Sequence, residues 1–118
     1  MPENRLAHTV AWQRGNGKRI EYLDAHGRVH KMRSSYEVHY AQHLDRLSVE
    51  WDYEPDRLLL SDGRVYVPDF RIGRRYVEIK GWAGLKGTDK VELARADGHD
   101  VELLVGGEAL AATTASVA

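Results

Sequence analysis

Val65–Gly81 reads VYVPDFRIGRRYVEIKG, and the fold depends on how this stretch pairs. Two short apolar runs flank a basic turn centred on Gly73. Asp69 closes the first run, and Glu78 and Lys80 sit in the second. Alternate side chains of a strand point to opposite faces. Val77 and Ile79 are therefore expected to face a core, while Glu78 and Lys80 share the other face. Folding about Gly73 makes a hairpin that brings Asp69 across from Glu78. Two carboxylates and one ammonium then converge on one small patch.

Upstream, Ser34-Ser35-Tyr36-Glu37 has the form of a capping box, a hydroxyl residue followed three later by Glu. It predicts a helix from Ser34 or Ser35 to about Leu47, with Tyr40, Ala41, Leu44 and Leu47 on the inward face. Glu37 falls on that same stripe, where an acidic residue needs a reason. Before the helix, Lys18–Leu23 and Arg28–Met32 read as strands joined by a turn at Asp24–Gly27. Residues 1–14 read as a loose arm or short helix, and Gly15-Asn16-Gly17 as a turn. After the helix, Val49–Tyr53 alternates as a strand that Pro55 ends. Arg57–Leu60 is a short apolar strand, and Ser61-Asp62-Gly63 is a turn. Beyond Gly81, residues 82–87 read as loop, Thr88–Ala96 as a helix stopped by Asp97-Gly98, and Val101–Val105 as a strand. Residues 107–118 read as a frayed tail.

The chain has 118 residues, which fits a single domain (1–118) with its own core. Its 42% apolar and 30% charged residues are ordinary for a globular protein. With no cysteine, disulfides and thiolate metal sites are excluded. No run is long and apolar enough for a membrane-spanning helix, and MPENRLAHTV lacks the apolar core of a signal peptide. A cytoplasmic protein without membrane contact is the default expectation. The net charge of -1 is unevenly spread: residues 1–33 sum to +4, residues 34–83 to -2 and residues 84–118 to -3. A basic arm and hairpin at 1–33 suits a phosphate-facing surface and equally suits a solvated face.

The carboxylate pair suggests chemistry. Phosphodiester cleavage needs a metal to polarise the phosphate and activate water, and carboxylates to hold that metal. Hard oxygen ligands suit Mg²⁺ or Mn²⁺. Asp69 and Glu78 are the expected ligands, with the backbone carbonyl of Ile79 as a further one. Lys80 would stabilise charge developing on phosphate or position the attacking water. Glu37 would complete the site as a ligand or a water-holding group.

Pro68-Asp69, then Glu78-Ile79-Lys80 after a nine-residue step, resembles the motif of the PD-(D/E)xK nucleases. Arg33-Ser34-Ser35-Tyr36-Glu37 at a helix start, Trp51-Asp52-Tyr53-Glu54-Pro55, Tyr66-Val67-Pro68-Asp69-Phe70 and Val77-Glu78-Ile79-Lys80-Gly81 extend the resemblance over about residues 30–105. The run is similar to the branch holding phage endonuclease I-type Holliday junction resolvases, TnsA-like transposon-end endonucleases and very-short-patch-repair-like enzymes. The resemblance implies an α/β (α+β) fold, a mixed central sheet flanked by helices, restriction-endonuclease-like. It also implies Mg²⁺-dependent DNA cleavage by Glu37, Asp69, Glu78 and Lys80. Junction resolvases of this kind are dimers that cut two strands symmetrically and recognise branched shape, so a homodimer on branched DNA is the leading expectation. Arg28, Lys31 and Arg33 in the basic third, and Arg71, Arg74 and Arg75 about the hairpin turn, are then candidate contacts to the DNA backbone. The alternatives are a sequence- or mismatch-directed nicking or homing endonuclease of the same fold, and a non-catalytic DNA-binding subunit of a recombination or transposition complex.

Overall fold

The computed structural model describes residues 19–81 and 88–106. Within them the elements run β1 (Ile20–Leu23), β2 (Val29–Met32), α1 (Ser35–Arg46), β3 (Asp52–Tyr53), β4 (Leu58–Leu59), β5 (Val65–Tyr66), β6 (Phe70–Ile72), β7 (Arg75–Lys80), α2 (Thr88–Ala96) and β8 (Val101–Val105). The expectations for the N-terminal arm, the Gly15–Gly17 turn, the 82–87 loop and the 107–118 tail fall outside the described residues.

The central hairpin forms about Gly73, whose φ of 63° lies in the left-handed region that glycine enters without a Cβ penalty. Phe70 pairs with Val77, Arg71 with Tyr76 and Ile72 with Arg75. One step further along this register, Asp69 stands opposite Glu78, as the sequence predicts. The first arm is shorter than expected, however. Val65–Tyr66 does not run on into it but pairs with Leu58–Leu59 as a separate two-stranded ribbon. Pro68, which has no N–H to give a ladder, marks the break. Asp69 therefore precedes a strand and does not end one.

β3, β6, β7 and β8 form a four-stranded sheet in that order. The first two pairings are antiparallel and β7–β8 is parallel. Parallel neighbours need a crossover, and α2 lies within it. α2 ends in a full Schellman arrangement: Gly98 has φ 103°, its N–H donates to the Arg95 carbonyl at 3.0 Å, and the His99 N–H donates to the Ala94 carbonyl at 3.0 Å. The described residues thus make an α+β fold with a mixed sheet and two helices, and neither helix is long and apolar enough to cross a membrane.

α1 starts where the capping signal put it. Ser34 Oγ accepts the Glu37 N–H at 3.2 Å, and Glu37, Val38, Tyr40, Ala41 and Leu44 are buried. Leu47 departs from the expected stripe. It is the C-cap residue and 46% exposed, because the chain turns away at Ser48 with φ 58°. The same turn shortens the expected Val49–Tyr53 strand to two residues, since the Val49 N–H is still spent on the Leu44 carbonyl at 2.9 Å.

The buried residues form two clusters, one on each side of β7. Phe70, Val77 and Ile79 pack with Val38, Tyr40, Ala41 and Leu44 of α1 and with Trp51. Leu60 and Tyr66 pack with Val91 and Ala94 of α2 and with Val101. The second cluster corrects the simple picture of one buried and one open face. Glu78 is 6% exposed, beneath Tyr66. A carboxylate expected on a polar face is instead inside the protein.

Candidate active site

Three carboxylates and two cations meet where the start of α1 approaches the end of β7. Gly81 marks this approach: a Cβ there would lie 3.4 Å from the Tyr36 ring. Asp69 is 1% exposed, so both of its oxygens need partners. Oδ2 accepts the Ile79 N–H at 2.8 Å, and Oδ1 accepts Arg33 Nη2 at 2.5 Å. Glu78 Oε1 accepts the Tyr66 hydroxyl at 2.8 Å, and its Oε2 lies 3.6 Å from Lys80 Nζ. Lys80 keeps 23% of its side chain exposed, so its ammonium has access to solvent.

Glu37 does not close the capping box in the usual way. Its Oε1 accepts the N–H of Arg33, one residue before the cap, at 2.7 Å and the Tyr53 hydroxyl at 2.8 Å. The reciprocal bond to the cap amide is replaced by one that fixes the backbone of Arg33. Oε1 is thus turned to Arg33 and Tyr53, while Oε2 lies 3.9 Å from Arg33 Nε.

Burial and repulsion set the electrostatics. Burial, then the charge of Asp69, pushes the Glu37 carboxyl up to about 7, against the pull of the Arg33 N–H and the Tyr53 hydroxyl. Burial and the neighbouring Glu78 push Asp69 up to about 6. Burial also raises Glu78, against the Tyr66 hydroxyl and Lys80. The Tyr53 and Tyr66 hydroxyls are held protonated by burial and by the carboxylates they serve. Burial disfavours the Arg33 charge, but Asp69 and Glu37 outweigh it and hold the guanidinium charged.

These shifts have a consequence for stability. A carboxyl raised in the folded state binds its proton more tightly there than in the unfolded chain. Its penalty is therefore full above the folded value and vanishes below the unfolded one. The metal-free protein should become more stable as pH falls from about 7 to about 4.5. Glu37 alone would contribute about 3 kcal/mol at most. Urea unfolding across that window should show the trend in the wild type and a shallower one in Glu37→Gln. Equal slopes would mean that Glu37 carries no such strain.

Among the described residues, no group of three or more His, Asp or Glu side chains is arranged to hold a metal ion. Mg²⁺ does not require one, because it keeps several waters and is commonly bound by one or two carboxylates. Asp69 and Glu78 supply that pair. They are hard oxygen donors, buried and mutually repelling, which is a condition a divalent cation relieves. The donor set fits Mg²⁺ or Mn²⁺. Ile79 follows Glu78 on β7 and gives its N–H to Asp69.

The six basic residues expected at a DNA surface separate into three groups. Arg33 is part of the site itself. Arg28, Arg71 and Arg75 are held by acidic neighbours: Arg28 by Asp24 at 2.9 Å, Arg71 by Asp56 at 2.7 Å and Asp52 at 3.2 Å, and Arg75 by Asp100 and Glu102 at 3.4 Å each. Lys31 and Arg74 are exposed, on β2 and on the hairpin turn.

Sequence reasoning missed three participants. Tyr53 closes an alternating run and Tyr66 stands in an apolar one, yet each hydroxyl is spent on a site carboxylate. Glu54 stands immediately before the Pro55 that ends the strand. It has φ 48°, a conformation that costs a non-glycine residue about 1–3 kcal/mol. Its N–H donates to the Asp69 carbonyl at 2.8 Å, and its carboxylate reaches Arg19 at 3.2 Å and Arg33 at 3.3 Å. No local signal announces this role, since a residue before proline is expected to be extended and Glu54 is left-handed. Comparison with protein-family models, curated proteins and solved structures finds no match to this chain.

Proposed function

We propose that this chain is a divalent-metal-dependent DNA endonuclease of the PD-(D/E)xK kind, with a restriction-endonuclease-like fold. Its substrate is branched DNA, a four-way junction being the leading case, cut by a homodimer using Mg²⁺ or Mn²⁺. One observation carries the reading. Asp69 and Glu78 are buried side by side across a hairpin, with Lys80 on the same strand and Glu37 anchored beside them. A purely structural role is a poor account of that arrangement, since paired buried carboxylates destabilise a fold that does not use them.

Each residue then has a task. Asp69 and Glu78 would hold the ion, and the Ile79 N–H and the Tyr66 hydroxyl each fix one oxygen of these carboxylates. The ion, when bound, polarises a phosphate oxygen and lowers the pKa of a water. Lys80, part-exposed beside Glu78, offers its ammonium to the charge that develops on the phosphate or orients the attacking water. Glu37 and Tyr53 hold the Arg33 backbone at the edge of the site. The buried surroundings strengthen every one of these interactions.

The metal half of the reading is tested by melting the protein with Mg²⁺, Mn²⁺ and Ca²⁺. Each ion should raise the melting temperature in a concentration-dependent way, and Asp69→Asn should lose most of the effect. Ca²⁺ should bind without supporting turnover. A wild type whose melting is indifferent to all three ions would remove the metal site, and with it the nuclease.

A further inference from the structure

The site carries positive charge of its own in Arg33. Arg33 Nη2 lies 2.5 Å from Asp69 Oδ1 and 3.3 Å from Glu54 Oε2, and its Nε lies 3.9 Å from Glu37 Oε2. Three carboxylates from three different parts of the chain thus share one guanidinium. Asp69 Oδ2 accepts the Ile79 N–H and Oδ1 accepts Arg33, so a cation approaching Oδ1 meets the guanidinium. A divalent ion held by that oxygen would have the guanidinium as its neighbour, and like charges in a buried site repel strongly.

We infer that Arg33 is a displaceable counter-ion: it and the divalent ion compete for Asp69 Oδ1, and metal loading requires the guanidinium to leave. This rests on the metal-dependent reading above. Charge supports the exchange. Glu37, Glu54, Asp69 and Glu78 bring four negative charges when ionised, and Arg19, Arg33 and Lys80 bring three positive ones. With Arg33 in place the cluster stands at -1, and exchanging it for a divalent ion brings the cluster to zero. Access supports it as well. The Arg33 side chain is 47% exposed, while its backbone N–H is fixed by Glu37 and Tyr53. The side chain can therefore swing outward without disturbing the start of α1. Glu54 supplies the hold that keeps it inward until then, which gives its strained backbone a purpose.

The test is Mn²⁺ binding by titration calorimetry, without DNA, to the wild type, Arg33→Gln and Arg33→Lys. Gln keeps a donor for Asp69 but removes the competing charge. Arg33→Gln should bind Mn²⁺ about tenfold more tightly than the wild type. Arg33→Lys, which keeps the charge but cannot fork between Asp69 and Glu54, should fall between them. Equal or weaker binding by Arg33→Gln, with normal binding by the wild type, overturns the inference and leaves the metal site standing. No binding by any of the three proteins removes the metal site and the inference together. A second measurement needs no variant. In ¹⁵N-arginine-labelled wild type, the Arg33 side-chain N–H should exchange slowly without metal and quickly once Mg²⁺ is added. Unchanged protection at saturating Mg²⁺ overturns the inference even if the variants fail to fold.

Discussion

Glu78→Gln should raise the melting temperature of the metal-free protein and, in the same molecule, reduce Mg²⁺-dependent DNA cleavage by at least about a hundredfold. The two effects share a cause. Glu78 is buried, and burial lifts its carboxyl above the ordinary value, so its ionised form costs the fold stability. Gln keeps the oxygen that accepts the Tyr66 hydroxyl and removes the charge. The ion pair sacrificed is the 3.6 Å contact to a part-exposed Lys80, which stabilises little. The sign can be checked against pH. A raised carboxyl costs most above its folded value, so the advantage of Gln should be largest near neutrality and shrink as pH falls toward the ordinary carboxylate range. Cleavage should suffer for the opposite reason, since in the proposed mechanism the same charge would hold the ion. Such opposition between stability and activity is what a working site costs its fold. A variant less stable than the wild type and equally active would place Glu78 in a structural role.

Phe70→Ala should have the largest effect on stability, about 3–5 kcal/mol in urea unfolding. Phe70 is fully buried, and its ring meets the rings of Tyr40 at 5.2 Å and of Trp51 and Tyr53 at 5.5 Å each, all three tilted edge to face. Removing it opens a cavity bounded by α1, β3 and β7, whose rigid neighbours collapse poorly. The position also matters for the site, because Phe70 follows Asp69 and pairs with Val77, the residue before Glu78. Activity should fall with stability. Leu59→Ala is the matched control. Leu59 is 73% exposed on the β4–β5 ribbon, and its loss should change stability by less than about 0.5 kcal/mol. A cost below about 1 kcal/mol for Phe70→Ala would mean that the aromatic cluster does not anchor the sheet.

Much of this arrangement was legible in the sequence, for local reasons. The hairpin could be read because Gly73 is flanked by two alternating runs, and because period two fixes which residues share a face. α1 and α2 were legible from their caps, Ser34 and Gly98, whose roles depend on neighbours within a few residues. The strand bounds around Trp51 and Val65 were not: Ser48 turns the chain through a left-handed backbone that no local pattern announces, and the alternating run masked the break that Pro68 makes through its missing N–H. The burial of Glu78 escaped for the same reason: period two assigns it to the face opposite Val77, and only the fold shows that Tyr66 and α2 cover that face. Arg33 was read as a backbone contact to DNA, since its three carboxylate partners lie 4, 21 and 36 residues away in sequence. No local pattern announces such a convergence.

The most direct test of the central claim is cleavage of a matched panel: a four-way junction, a Y-fork, a mismatched duplex, a perfect duplex and single strands. Each is incubated with wild type or Lys80→Ala, in Mg²⁺ or in EDTA. The account predicts paired, symmetric nicks on the junction that need Mg²⁺ and fall by about 10²–10³-fold in Lys80→Ala. Cutting confined to one duplex sequence or to the mismatch would keep the metal centre and replace the substrate. Binding without cutting on every substrate, by both proteins, would contradict the account and leave a DNA-binding module.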